Sequence, residues 1–125
     1  MAWNAGSTGK MGATRAAGGE PLTPAVFHVL LALADGAAHG YAIMQAVAAT
    51  SGIAMGPGTV YGTLSRLEQS AWVEEAVAPR GTDVRRRYWR LTVEGRTALR
   101  GESARVAALA DLVRSKKLAP VRGSR

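Results

Sequence analysis

The chain has no cysteine, which excludes a disulfide framework, a zinc–thiolate site and a catalytic thiol. Aromatic residues make up only 6% of its 125 residues. Alanine supplies much of the 47% hydrophobic content, so one copy builds a small core and a partner is expected to complete it. No apolar run approaches the roughly 20 residues of a membrane-spanning helix. The opening MAWNAGSTGK lacks the basic region and apolar segment of a secretory signal. A cytoplasmic protein with no membrane partner is therefore expected. Histidine is scarce too: His28 and His39 have no metal-ligand partner at useful spacing. Paired carboxylates and a phosphate loop are missing as well. No enzyme activity, no metal and no cofactor are expected.

Acidic residues are few, 9 against 16 lysines and arginines, and the net charge is +7. Its distribution is uneven. Residues 21–71 carry only Asp35, Arg66 and Glu68, whereas residues 72–91 carry five arginines against Glu74, Glu75 and Asp83. Residues 92–125 carry eight basic side chains against three acidic ones. A nearly uncharged centre followed by basic segments suggests a polyanionic partner, although a basic tail also serves solubility.

The length fits one domain with tails. Residues 1–20 are rich in Gly, Ala, Ser and Thr without apolar period and read as a disordered arm. Thr23 and Pro24 suit the cap and first residue of a helix reaching about Ala34, with Gly36 ending it. Phe27, Leu30, Leu31 and Ala34 fall on one face with Val26, Val29 and Leu33 beside it, so burial on more than one side is expected. Leu22 is placed to pack on Phe27 as a hydrophobic staple. His39-Gly40-Tyr41 opens a second helix to about Thr50, with Ile43, Met44, Val47 and Ala48 inward. His39 suits a cap or a phosphate contact.

The segment Pro57 to Ala71 reads as a third helix. Val60, Leu64, Leu67 and Ala71 form its buried stripe. The opposite face carries Gly58, Gly62, Ser65 and Gln69, flanked by Thr59, Tyr61 and Arg66. Two exposed glycines cost a helix roughly 1 kcal/mol each relative to alanine. Close approach to another surface would compensate, and small hydroxyls with one phenol and one guanidinium suit phosphates and base edges. An ordinary amphipathic surface helix is the alternative. Two short helices joined by a turn match the helix-turn-helix pattern.

After Ala71 the period becomes alternating. Trp72–Val77 and Val84–Leu91 read as strands around a turn at residues 79–83, which makes a hairpin with Arg85, Arg86 and Arg87 on one limb. Arg80 lies nearby, and these arginines exceed what protection of a sheet edge needs. Side chains alternate along a strand, so Arg86 is expected to face away from its neighbours. Thr92 caps a last helix, from Val93 to about Leu118, about 39 Å long at 1.5 Å per residue. Leu99, Val106, Leu109 and Val113 follow a 3,4 spacing along it, with Glu102 in one slot. That stripe needs cover, either from a second copy or from the chain's own domain. Residues 119–125 read as a basic tail.

Taken together, these pieces resemble the PadR family of winged-helix transcriptional regulators. The matching runs are Leu22-Thr23-Pro24 with Phe27, His39-Gly40-Tyr41, Pro57-Gly58-Thr59-Val60-Tyr61, Leu64-Ser65-Arg66-Leu67-Glu68, Arg85 through Thr92, and Gly95-Arg96. The resemblance implies a mainly helical fold with a small β-hairpin. Residues 21–91 would form the winged helix-turn-helix and residues 92–118 a dimerisation helix, as in the short branch of the family. It also implies a homodimeric repressor on a near-palindromic double-stranded operator, released by a small molecule or another signal. By position, Gly58, Thr59, Tyr61, Ser65 and Arg66 would face DNA, with Tyr61 on a phosphate. Ala71 stands where the family usually has glycine, and Trp89 replaces the second of two tyrosines. An RNA-binding module, with Tyr88 and Trp89 as stacking platforms, or a protein-interaction module are the competing expectations.

Overall fold

The computed structural model describes residues 21–52 and 54–119. The arm at 1–20 and nearly all of the tail expected at 119–125 lie outside the described residues. The order is α1 (Pro24–Ala32), β1 (Ala38–His39), α2 (Gly40–Ser51), α3 (Pro57–Gln69), β2 (Val73–Ala76), β3 (Tyr88–Leu91) and α4 (Val93–Ser115). Among the described residues no helix is long and apolar enough to cross a membrane.

Helix α1 begins as its sequence dictates. The Thr23 hydroxyl accepts the Val26 N–H at 3.2 Å, and Pro24 needs no hydrogen-bond partner for its nitrogen. Leu22 and Phe27 both pack at the edge of the core. Val26, Val29, Leu30 and Leu33, all within the wide apolar surface expected of it, are buried, while Leu31 is exposed. α1 is apolar around most of its circumference, so its own period does not choose a face. Packing against α2, α3 and α4 chooses it. In α3, Val60, Leu64 and Leu67 are buried as expected, together with Thr63, but Ala71, expected in the same stripe, lies past the end of the helix and is exposed.

The sheet has three strands rather than two. Ala38 and His39 pair with Trp89 and Tyr88, and the strand order is β1-β3-β2. The β2–β3 ladder runs from Val73↔Leu91 to Ala76↔Tyr88. The second limb of the hairpin is also shorter than expected. Val84, Arg85, Arg86 and Arg87 lie in the loop, not in the strand, because a local turn competes with the ladder. The Asp83 carboxylate accepts the Arg85 backbone N–H at 3.0 Å, and its carbonyl accepts the Arg86 N–H at 3.2 Å.

The α3–β2 junction is tight. Trp72 N–H donates to Leu67 O at 2.9 Å and Ala71 N–H to Glu68 O at 3.0 Å, which is a Schellman ending. Ala71 consequently sits at φ +62°. That is left-handed backbone, which a side chain makes costly. Ala71→Gly is expected to raise stability by about 1 kcal/mol. Thermal melts of the two proteins check this, and a lower midpoint for the glycine variant would refute it.

The start of α4 locks onto the same junction. The Thr92 hydroxyl donates to Ala71 O at 2.6 Å and accepts the Gly95 N–H at 3.0 Å. Thr92 N–H donates to Trp72 O at 3.0 Å. A Cβ on Gly95 would stand 1.9 Å from Trp72 O, so only glycine permits this approach. Further along, both terminal nitrogens of Arg96 donate to Ala34 O at 3.3 Å and tie α4 to the end of α1.

Candidate nucleic-acid interface

The outer face of α3 is open. A Cβ added at Gly58 or Gly62 would meet nothing within 4 Å. Thr59, Ser65 and Arg66 are exposed. Arg66 has no ion pair and no side-chain hydrogen bond among the described residues. The Arg66 charge is thus uncommitted, and the helix backbone is unobstructed at Gly58 and Gly62.

Tyr61 differs from its neighbours. It is 43% exposed, and its ring meets Trp89 edge-on with centroids 5.6 Å apart. Its hydroxyl reaches over the start of α2, where a Cβ on Gly40 would lie 2.3 Å from it. Gly40 therefore makes room for the phenol. The sequence places a glycine there, but only the α2–α3 crossing shows what it accommodates.

His39 caps α2. Its Nδ1 accepts the Ala42 N–H at 3.2 Å, which requires an unprotonated Nδ1. Arg86 Nη1 lies 3.0 and 3.1 Å from the two ring nitrogens. Burial first, and then the Arg86 charge, hold the His39 pKa below its ordinary 6.5, with Asp83 acting in the opposite sense. The neutral, capping form is thereby favoured, as the geometry demands.

The wing arginines do not alternate; each has its own destination. Arg85 forks onto Asp83 at 3.1 and 3.3 Å. Arg86 reaches His39 and approaches Asp83 at 3.8 Å. Arg87 forks onto Glu75 at 2.9 and 3.3 Å and lies 4.8 Å from the Trp89 ring centroid. Arg80 stays exposed in the turn, without an ion pair among the described residues. Arg85, Arg86 and Arg87 line an open hollow of about 620 Å³ with His39, Gly40, Tyr41 and Tyr61. Wing, α2 start and α3 thus present one cationic surface. Tyr88 and Trp89 are buried, so neither offers the stacking platform that the RNA-binding alternative needs.

The α4 stripe divides in two. Leu99 is buried in the core of its own protomer, which corrects its assignment to a dimer seam. Glu102 is buried too. It accepts from Arg105 at 3.1 and 2.5 Å, and the Leu22 backbone N–H also hydrogen-bonds to it. Beyond Glu102 the helix leaves the domain. Val106, Leu109, Leu112 and Val113 are 38–50% exposed there. Leu112 adds to the stripe read from the sequence. No group of three or more His, Asp or Glu capable of holding a metal occurs among the described residues.

Comparison with known proteins agrees with this geometry. A family model described as the transcriptional regulator PadR-like family matches residues 29–101. An uncharacterized 37.1 kDa protein of transposon TN4556 from Streptomyces fradiae is 44% identical over 85 residues, 68% of this chain and 24% of that protein. The chain therefore spans about a quarter of that relative's length. A PadR family transcription regulator from hypervirulent Clostridium difficile superposes with a TM-score of 0.64 at 21% identity, covering 74% of this chain and 97% of that one. BpsR of Bordetella bronchiseptica, whose DNA binding is regulated by 6-hydroxynicotinic acid, gives a TM-score of 0.56 at 25% identity, covering 82% and 69%. The fold is that of winged-helix regulators, and the chain belongs to the PadR-like family of transcriptional regulators.

Proposed function

We propose that this protein is a sequence-specific DNA-binding regulator, a cytoplasmic repressor that acts as a homodimer on a near-palindromic operator. The observation that carries this reading is the shared face of α3 and the wing. An unobstructed, hydroxyl-bearing helix with a free Arg66 stands beside a loop of four arginines. The helix face suits a major groove, and the arginines suit the phosphates that flank it. A second copy would cover the exposed α4 stripe and set two α3 helices side by side. Release by a small molecule is supported by the likeness to BpsR.

Binding to duplexes at several salt concentrations tests the division of labour. The DNA upstream of the protein's own gene, a random duplex and RNA of equal length are compared. The upstream duplex is expected to bind most tightly. Arg80→Ala with Arg85→Ala should weaken both duplexes alike and reduce the salt slope by about 1 per lost phosphate contact. Ser65→Ala should narrow the gap between the duplexes by about 1–3 kcal/mol and leave the slope in place. Equal affinity for RNA and both duplexes would refute the proposal.

A further inference from the structure

His39 stands where β1, α2 and the wing meet. Its backbone pairs with Tyr88 of β3, and its ring meets the Tyr88 ring edge-on with centroids 5.4 Å apart. A neutral imidazole has a lone pair on one nitrogen and a hydrogen on the other. The cap on α2 settles which is which. Nδ1 accepts the Ala42 N–H at 3.2 Å, so the hydrogen sits on Nε2. Arg86 Nη1 lies 3.0 and 3.1 Å from the two nitrogens, yet neither keeps a lone pair for it. Arg86 is also 3.8 Å from the Asp83 carboxylate, beyond hydrogen-bond distance. Imidazole and guanidinium are therefore two donors side by side. Both line the hollow of about 620 Å³ with Tyr41 and Tyr61, and no carboxylate lines it; Asp83 lines an adjoining hollow. Arg85 and Arg87, which line it too, are each forked onto a carboxylate. The hollow thus has donors at His39 and Arg86 that an acceptor from outside would satisfy.

We propose that His39 binds DNA as a neutral donor: its Nε2–H, beside Arg86, takes a phosphate oxygen in this hollow while its Nδ1 goes on capping α2. This rests on the DNA-binding reading above. The sequence offers a cap or a phosphate contact as alternatives, whereas in the structure the first is the condition of the second. The cap fixes the tautomer, and the tautomer supplies the donor. Arg86 supplies the charge. Protonation does not serve this contact, because a hydrogen on Nδ1 would break the Ala42 bond and set a second cation against Arg86. Burial and the Arg86 charge, which outweigh Asp83, already disfavour the imidazolium. A neutral N–H neutralises no phosphate, so its contact releases no counterion. It also reads no base, so it acts on every duplex alike.

His39→Asn separates the two nitrogens. Asparagine is among the best capping residues and can accept the Ala42 N–H, but it has no atom at the place of Nε2. Its melting temperature is expected to stay within about 2 °C of wild type, a small fraction of 1 kcal/mol for a domain of this size. Binding to the upstream duplex and to a random duplex should each weaken about tenfold, the worth of one hydrogen bond to a charged group. The salt slope should not change. The wild-type to variant affinity ratio should also hold from about pH 7 to pH 8.5, since a neutral donor persists there. Imidazole 15N shifts of the wild-type protein should place the hydrogen on Nε2, free and on the duplex. Unchanged binding in His39→Asn overturns the proposal. So does a loss of binding that comes with a fall of about 5 °C or more in melting temperature, which would make the residue structural only. A ratio that declines toward one as the pH rises would assign the contact to an imidazolium and overturns it too, as does a hydrogen found on Nδ1. A wild-type protein that binds no duplex at all overturns the DNA-binding reading itself, and this inference with it.

Discussion

Gly95→Ala is expected to cost at least about 3 kcal/mol, at the upper end of what overpacking a well-packed site costs. The added Cβ would stand 1.9 Å from Trp72 O and 2.8 Å from Trp72 C. Both are backbone atoms, so no side chain can swing away to relieve the contact. Trp72 O also accepts the Thr92 N–H, and a shift of the strand start would break that bond. Helix α4 must instead move outward, which strips contacts from Ala98 and Leu99 in the core. For a domain of this size the loss corresponds to a fall of about 12 °C or more in melting temperature. Gly62→Ala, with nothing within 4 Å of the new atom, is the control, and helix propensity there favours alanine by about 1 kcal/mol. A Gly95 variant that melts within a few degrees of wild type would show that α4 does not approach Trp72 this closely.

The second large effect concerns assembly. Val106→Glu with Val113→Glu is expected to give a folded monomer in place of a dimer. Both side chains are exposed in the single copy, at 38% and 39%, so the winged domain keeps its core. The carboxylates would meet only the proposed second copy. The part of α4 beyond Glu102 is too short to persist as a helix without tertiary support, and the variant should also lose some helical ellipticity. Operator affinity should fall about a hundredfold or more, since the second half-site no longer binds at high effective concentration. Sedimentation and operator binding check both parts. A double variant that sediments as a dimer would move the interface elsewhere.

Much of this architecture is legible in the residues, because several local signals are strong and short-ranged. Thr23-Pro24, His39-Gly40 and Thr92 each start a helix by a cap within three residues. The left-handed end at Ala71 is pointed to only by the resemblance, in which glycine usually stands there; the stripe on α3 by itself runs through it. What the sequence hides depends on partners far along the chain. β1 is two residues long and exists only because β3 offers a free edge, so it has no period to detect. Leu99 fits the same heptad as Val106. Only the packing of α1 and β3 on α4 shows that it belongs to its own core. The arginines look like a strand limb until Asp83 is seen to fold the backbone under them. The Glu75–Arg87 pair requires the β2–β3 register, which alternation alone leaves free by steps of two. For the same reason the sequence identifies a basic wing but not which of its charges are already answered.

The joint around Thr92 has a mechanical consequence. One hydroxyl ties the last carbonyl after α3 to the first turn of α4, and the Gly95 contact removes the space in which the two could slide. The joint therefore has no free play, and α4 acts as a lever welded to α3. It is about 35 Å long at 1.5 Å per residue, so a swing of 10° at one end displaces the other by about 6 Å. In the proposed dimer, whatever alters the angle at which two such levers cross would re-space the two α3 helices by well over one base-pair rise of about 3.4 Å. On that proposal, the regulator could be switched off at the far end of α4, without any contact to the surface proposed to hold DNA.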